Sequence, residues 1–124
     1  MKVVVTICSK RKNETEGLLP AGERYMGEHI KKTEKLAKQL QLPFFILSGK
    51  YGLVPVDKAI PNYDYYLEMS AIEDLAKIVE TQLREFNITE AQFYTEGKKS
   101  WIPYEAVLMK ATESGNVVFS RRHI

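Results

Sequence analysis

The chain has 124 residues, of which 44% are hydrophobic and 27% charged, with a formal net charge of +2. This balance predicts one globular domain spanning residues 1–124 and excludes a disordered chain, and the charge alone does not indicate nucleic-acid binding. No apolar run approaches the roughly 20 residues of a membrane-spanning helix. A single cysteine and the lack of a leader-like amino terminus predict a cytoplasmic location with no membrane partner.

The chain opens with a predicted strand at residues 3–7, which is β-branched almost throughout. The loop behind it contains Cys8, Ser9, Lys10 and Lys12. Cations and backbone amides in such a loop favour a phosphate or a carboxylate. In the alternative interpretation, Cys8 is a small buried residue and the lysines form a solvated turn. The glycine spacing of a P-loop or a dinucleotide fingerprint is absent.

A helix is predicted from about residue 23 to residue 40, because apolar side chains recur there at helical spacing. It places Tyr25 and His29 one turn apart, so that both are expected to face the same crevice. A lone histidine beside an apolar stripe is also typical of a packed core residue. Pro43 ends the helix and a second strand follows directly.

That second strand, residues 44–47, is a bulky apolar run typical of a strand buried on both faces. Strand, helix and strand predict a right-handed crossover whose two exit loops lie side by side. The second exit loop carries Ser48, Lys50, Tyr51 and Gly52. Ligands gather at this position in open α/β sheets, although the glycines alternatively only shape a turn while the tyrosine packs on the core.

Residues 54–69 have an irregular pattern with two prolines, which predicts a functional lid. This segment would carry Tyr63 and Asp64 back over the exit loops of the strands. The alternative is an aromatic cluster that covers the sheet edge. A capping box at residues 70–73 then predicts the start of a helix that ends near residue 85.

A third strand is predicted at residues 91–95 and ends in Glu96, a carboxylate at the ligand-binding edge, although most surface glutamates have no such role. A short helix after Pro103, a turn at 114–116 and a strand at 117–119 complete the chain. The alternation predicts an α/β three-layer sandwich with a small, mostly parallel, Rossmann-like sheet of about four strands.

Four motifs occur in a fixed order: Cys8-Ser9-Lys10-x-Lys12, Tyr25-x-Gly27, Ile46-Leu47-Ser48-x-Lys50-Tyr51-Gly52-Leu53-Val54 and Ile60-Pro61-x-Tyr63-Asp64. Together they resemble the YaaA-like group of small bacterial, archaeal and phage proteins. Gly49 stands where the group usually has alanine. The resemblance covers about the first half of the chain, and it implies a compact α/β domain with a shared site built from these motif residues. Long members of the group are associated with oxidative stress and nucleic-acid binding.

The leading functional hypothesis is a site for a small anionic, ring-bearing ligand such as a nucleotide, a nucleoside or a modified base. Lys10 and Lys50 would hold the anion, Tyr51 and Tyr63 would stack on the ring, and Ser48 would orient it.

Hydrolysis or transfer at a glycosidic bond is the predicted reaction if the domain is an enzyme, with Asp64 or Glu96 as the catalytic carboxylate. No metal site or cofactor is predicted, because two histidines and one cysteine lack ligand spacing.

The second hypothesis is a nucleic-acid-binding protein without catalysis, in which tyrosines stack on bases. Its phosphate-contacting face would comprise Lys10, Arg11, Lys12, Lys98, Lys99, Arg121 and Arg122. A third is a protein-binding domain anchored by the tyrosines of residues 63–66.

Overall fold

Strands and helices alternate along the chain in the computed structural model, which describes residues 1–113 and 115–124. The elements are β1 (Lys2–Ile7), β2 (Leu19–Pro20), α1 (Ala21–Arg24), α2 (Glu28–Leu40), β3 (Phe44–Ser48), β4 (Gly52–Pro55), β5 (Ala59–Ile60), α3 (Ile72–Glu85), β6 (Glu90–Thr95), α4 (Ile102–Glu113) and β7 (Val118–His123). Short 3₁₀ turns lead into α3 and α4. Within the described residues, no helix has both the length and the apolar character needed to cross a membrane.

The main sheet has five strands in the order β4-β3-β1-β6-β7, and β2 pairs with β5 in a separate two-stranded ribbon. β1 runs parallel to β3 and β6, and β6 runs parallel to β7, so the exit ends of these four strands share one edge. The predicted α/β class and mostly parallel sheet are confirmed. The fifth strand arises because the chain turns back after β3 and pairs β4 with it antiparallel.

Helices cover both faces of this sheet and complete three layers. Successive residues of β1 alternate between two apolar cores, as a strand covered on both sides requires. The first core lies under α3 and α4, and the second lies under α1 and α2. The predicted stripe of α3 is buried in the first core: Ile72, Leu75, Ala76, Val79 and Leu83.

The outer edge of β4 is covered by a side chain of α3. The Leu53 N–H donates to Gln82 Oε1 at 2.7 Å, and Gln82 Nε2 donates to the carbonyls of Tyr51 and Leu53 at 3.0 and 3.2 Å. Gly52 has φ +74°, and a Cβ there would lie 2.3 Å from Gln82 Oε1. The glycine is therefore required by this clamp.

The helix predicted over residues 23–40 is wrong in its first turns. Tyr25 has an extended backbone and forms a β-bridge with Lys12, and the Met26 N–H donates to the Arg11 carbonyl at 3.0 Å. These bonds to the loop behind β1 replace helical bonds, so the chain forms two helices separated by an extended turn. Tyr25 and His29 consequently do not share a helix.

The predicted capping box is also wrong. Ser70 lies inside the 3₁₀ turn Met69–Ala71, and no side chain caps α3. The strand predicted at 117–119 is longer, because β7 pairs with β6 as far as His123 and includes the basic residues before it. The turn predicted at 114–116 includes Ser114, which lies outside the described residues.

Candidate functional site

A cleft of about 600 Å³ lies at the exit edge of the parallel strands. It is bordered by the loops behind β1 and β6, the segment after β5 and the start of α4. Its aromatic lining comprises His29, Tyr63, Tyr65, Tyr66, Trp101 and Tyr104, and its charged lining comprises Lys10, Lys12, Lys98, Asp64 and Glu96. Cys8 and Ser9 lie at its base beside β1. Two smaller hollows lie elsewhere, one at the opposite edge of the sheet and one beside β4.

A chain of three hydroxyl groups lies behind the cleft. Ser48 Oγ accepts the backbone N–H groups of Lys50 and Tyr51, both at 3.1 Å, so its own proton is available for the Tyr63 hydroxyl at 2.9 Å. The Tyr63 hydroxyl also hydrogen-bonds to that of Tyr25. Burial raises the pKa of Tyr63 to about 12 and raises that of Tyr25 well above its usual value. Both phenols are therefore neutral at physiological pH and fasten the segment after β5 to the end of β3.

Two lysines lie against the ring of Tyr63. Lys12 Nζ is 4.6 Å and Lys50 Nζ is 5.4 Å from the ring centroid, within the range of cation–π attraction. The ring of Tyr51 meets Tyr63 edge-on at 5.1 Å. Neither lysine forms an ion pair with a carboxylate of the described residues, so their positive charge is not neutralised by a direct contact. Tyr63 is accordingly surrounded by protein groups, and its stacking on a ligand stays a prediction.

The thiol of Cys8 is half-buried and lies 3.8 Å from the hydroxyl of Tyr104. Burial raises the pKa of Cys8 and of Tyr104 above their usual values. A catalytic cysteine requires a thiolate, which burial disfavours here. The geometry therefore favours the structural interpretation of Cys8.

His29 enters the cleft from the first turn of α2. Its Nε2 lies 2.8 Å from the Ile7 carbonyl oxygen, and its ring is 4.8 Å from that of Trp101. Burial is the main cause that lowers the pKa of His29 below its usual value. From the sequence, His29 is expected either to face the crevice or to pack in the core, and it is not among the predicted site residues. One feature of the sequence could have indicated its place in the site: His29 lies at the start of the helix that follows the loop behind β1.

Arg24 is a buried residue that is not among the predicted site residues. Its side chain is fully buried, and its guanidinium donates to the carbonyls of Asn13, Thr15, Gly17 and Ile60 at 2.6 to 3.3 Å. It thereby joins the loop behind β1 to β5, which precedes the segment with Tyr63 and Asp64. An arginine within a polar stretch normally indicates a solvated surface, so no sequence signal identified this role.

The predicted site residues separate into three groups. Seven line the cleft: Cys8, Ser9, Lys10, Lys12, Tyr63, Asp64 and Glu96. Four lie behind it around Tyr63: Tyr25, Ser48, Lys50 and Tyr51. Gly52 lies away from the cleft, against Gln82.

The polar contacts of the lining residues differ. Ser9 Oγ donates to the Arg11 carbonyl at 2.7 Å and accepts the Gly27 N–H at 3.1 Å, which fixes the start of α2. Glu96 lies 3.5 Å from the ammonium of Lys98. In the described parts of the chain, no group of three or more His, Cys, Asp or Glu residues is placed to hold a metal ion.

The fold and the cleft define a small, mostly parallel α/β protein with an aromatic and charged crevice at the exit edge of its sheet. The chain belongs to a family of unknown function, DUF6884, whose family model matches residues 3–118. The match includes every residue that lines the cleft. No curated protein and no solved structure matches the chain.

Proposed function

We propose that this domain binds a small anionic, ring-bearing ligand, namely a nucleotide, a nucleoside or a modified base, in the cleft. The observation that carries the proposal is the meeting of three lysines and several aromatic rings in one crevice of about 600 Å³. Small-molecule sites commonly have volumes of roughly 300 to 1,000 Å³ and combine apolar walls with a few polar groups. The position at the exit ends of parallel strands supports the same proposal.

The proposed roles follow from the lining. Lys10 and Lys12 hold the anionic group, and Trp101 and Tyr66 offer ring faces to the base. Lys50 acts through Tyr63, whose ring it contacts, and adds positive charge behind the cleft.

A thermal-shift screen of nucleotides, nucleosides and ribose 5-phosphate tests this proposal. We expect a nucleotide to raise the melting temperature of the wild type, because a ligand that binds only the folded state stabilises it. Lys10→Ala combined with Lys12→Ala should remove that rise, and Lys35→Ala, an exposed lysine of α2, is the matched control. A full rise in the double variant would contradict the proposed anion site.

We also propose a reaction: hydrolysis or transfer at the glycosidic bond of the ligand. Asp64 and Glu96 line the same cleft. One carboxylate would take a proton from a water that attacks the anomeric carbon, while the other stabilises the sugar cation. The bond between that carbon and the base breaks, and the base leaves with the bonding electron pair and takes up the proton that the first carboxylate releases. The test is release of free base from nucleosides and nucleotides, followed by chromatography. Asp64→Asn and Glu96→Gln should each reduce the release by orders of magnitude, and no release from any compound would exclude this reaction.

The second candidate function is nucleic-acid binding without catalysis. It is favoured by Tyr66, which is 82% exposed and lines the cleft together with Lys10 and Lys98. Exposed rings and cations suit the bases and phosphates of a single strand. Affinity for an oligonucleotide would then fall steeply with salt, whereas binding of a mononucleotide in the cleft would change much less.

Kinship with the YaaA-like group is proposed as well, together with a cytoplasmic location. The kinship is supported by the motifs of the first half of the chain, most of whose polar residues lie in or directly behind the cleft. The location is supported by the single, unpaired cysteine.

A further inference from the structure

The protonation pattern of His29 is set by the end of β1. The Ile7 carbonyl oxygen lies 2.8 Å from Nε2 and can only accept a hydrogen bond, so Nε2 carries a proton. Burial keeps the pKa of the ring below its usual value, which favours the neutral imidazole. A neutral imidazole that is protonated on Nε2 has a lone pair on Nδ1.

Within the described residues the only hydrogen bond of the ring that meets the distance criteria is the one from Nε2, and the backbone of Cys8 is a second group beside the ring that raises its pKa against the effect of burial. The only fully buried side-chain nitrogen or oxygen without a hydrogen bond in this part of the chain is Arg24 Nε, so Nδ1 is not sealed inside the protein. His29 lines the cleft, so a ligand bound there would lie beside its ring. The neighbouring Gly27 leaves the ring room, because a Cβ there would lie 2.8 Å from Nδ1.

Two neighbours indicate what kind of group would meet this acceptor. Trp101 lies 4.8 Å from the His29 ring and forms an apolar wall beside it. Glu96 lines the same cleft, and its charge acts on His29. An aromatic wall next to two hydrogen-bond acceptors matches a heterocycle whose edge presents N–H groups.

We propose that His29 is a specificity-determining residue of the cleft, whose Nδ1 accepts a hydrogen bond from a ring or amino N–H of the ligand. This inference rests on the proposed function and narrows its ligand class. The cleft then prefers bases with adjacent N–H donors, such as the guanine edge with its N1–H and 2-amino group, to bases that lack them.

Nitrogen NMR of the histidine rings tests the protonation pattern directly. The chain has two histidines, and His123→Ala leaves only the signals of His29. In the ligand-free protein at neutral pH we expect Nε2 protonated and Nδ1 unprotonated. Addition of guanosine 5′-monophosphate should shift the Nδ1 signal toward that of a hydrogen-bonded nitrogen, whereas ribose 5-phosphate, which lacks a base, should not.

Calorimetry of matched nucleotides tests the selectivity. The wild type should bind guanosine 5′-monophosphate roughly 5- to 20-fold more tightly than its 1-methyl derivative or inosine 5′-monophosphate, the range of one lost hydrogen bond. His29→Phe keeps a ring beside Trp101 and should lose the preference over the analogue that lacks the N–H accepted by His29, while a preference that depends on Glu96 remains. The NMR experiment on the His123→Ala protein keeps the proposal testable if His29→Phe does not fold.

The outcomes separate the two proposals. If guanosine 5′-monophosphate binds but the Nδ1 signal stays unchanged, or if His29→Phe keeps the wild-type selectivity, the role of His29 is wrong and the proposed function stands. If Nδ1 is protonated in the ligand-free protein, the proposed role of His29 is also wrong. If no nucleotide of the screen binds, the proposed function is wrong and the role of His29 falls with it.

Discussion

The two faces of the sheet are built differently. The face under α3 and α4 is packed with aliphatic and aromatic side chains. The face under α1 and α2 also contains buried polar groups, among them Arg24, Tyr25 and Ser48. A buried polar group is costly unless it is hydrogen-bonded, and it therefore fixes geometry more strictly than an apolar contact does. The first face therefore mainly supplies stability and contributes Trp101 and Tyr104 to the cleft, whereas the buried polar groups of the second face fix the segments around Tyr63.

The largest expected effect is a cavity in the apolar face. Leu83→Ala removes a side chain that is 1% exposed, and we expect a loss of about 2 to 5 kcal/mol in the free energy of unfolding. Urea denaturation measures it, with Ile78→Ala as the control, since Ile78 lies on the same helix and is 48% exposed. Nucleotide affinity of the folded Leu83 variant should be unchanged. A change in affinity without a loss of stability would reverse the division of roles between the faces.

Arg24→Met should be the most damaging change on the polar face. It leaves several carbonyls without their donor. Each buried group that stays unsatisfied costs about 1 to 3 kcal/mol of stability, and the cost is smaller for a carbonyl that can hydrogen-bond to water instead. Hydrogen exchange should show faster exchange in residues 13–17, which Arg24 holds, while α3 remains protected. Arg84→Met, on the exposed surface of α3, is the matched control. Unchanged exchange at 13–17 would mean that this loop is held by other contacts.

Tyr63→Phe should have a smaller and more local effect. It keeps the ring that the lysines contact but removes the hydroxyl that joins Ser48 to Tyr25, at a cost of about 1 to 2 kcal/mol. Limited proteolysis should then cleave the segment after β5 more rapidly. Tyr66→Phe, at a position that is 82% exposed, should leave both stability and cleavage unaltered.

The smallest expected effect is a pH dependence through His29. Its pKa is lower in the folded state than in the unfolded chain, so the unfolded chain binds a proton first as the pH falls. The stability contributed by the neutral ring is fully present above about pH 6.5, the unfolded value, and is lost below it. Chemical denaturation from pH 8 to pH 5 should show a smaller decline in His29→Phe than in the wild type. Equal declines would place the responsible group elsewhere.

The apolar face could be predicted from the sequence because its signal is periodic. The stripe of α3 and the buried run of β3 each follow from spacing within a single element. The meeting of the loops behind β1, β3 and β6 at one edge could also be predicted, since parallel strands share an edge.

The polar face could not be predicted in detail because it depends on contacts between distant residues. Lys12 pairs with the backbone of Tyr25 and breaks a helix that local periodicity favours. The partners of Arg24 lie 7 to 36 residues away along the chain. The meeting of Glu96 with Tyr63 and Asp64 in one cleft likewise follows from the sheet order, which no local pattern contains.

The Gln82 clamp has a consequence for how this sheet can meet other chains. The amide of Gln82 already satisfies the outward N–H and C=O of Leu53. A strand of another molecule therefore cannot form the backbone hydrogen bonds that pairing with β4 would require. Strand β7 has only β6 as a neighbour in the sheet, and no such amide is bound to its outer side in the described residues. Any growth of the main sheet by strand addition is therefore one-sided and would begin at β7.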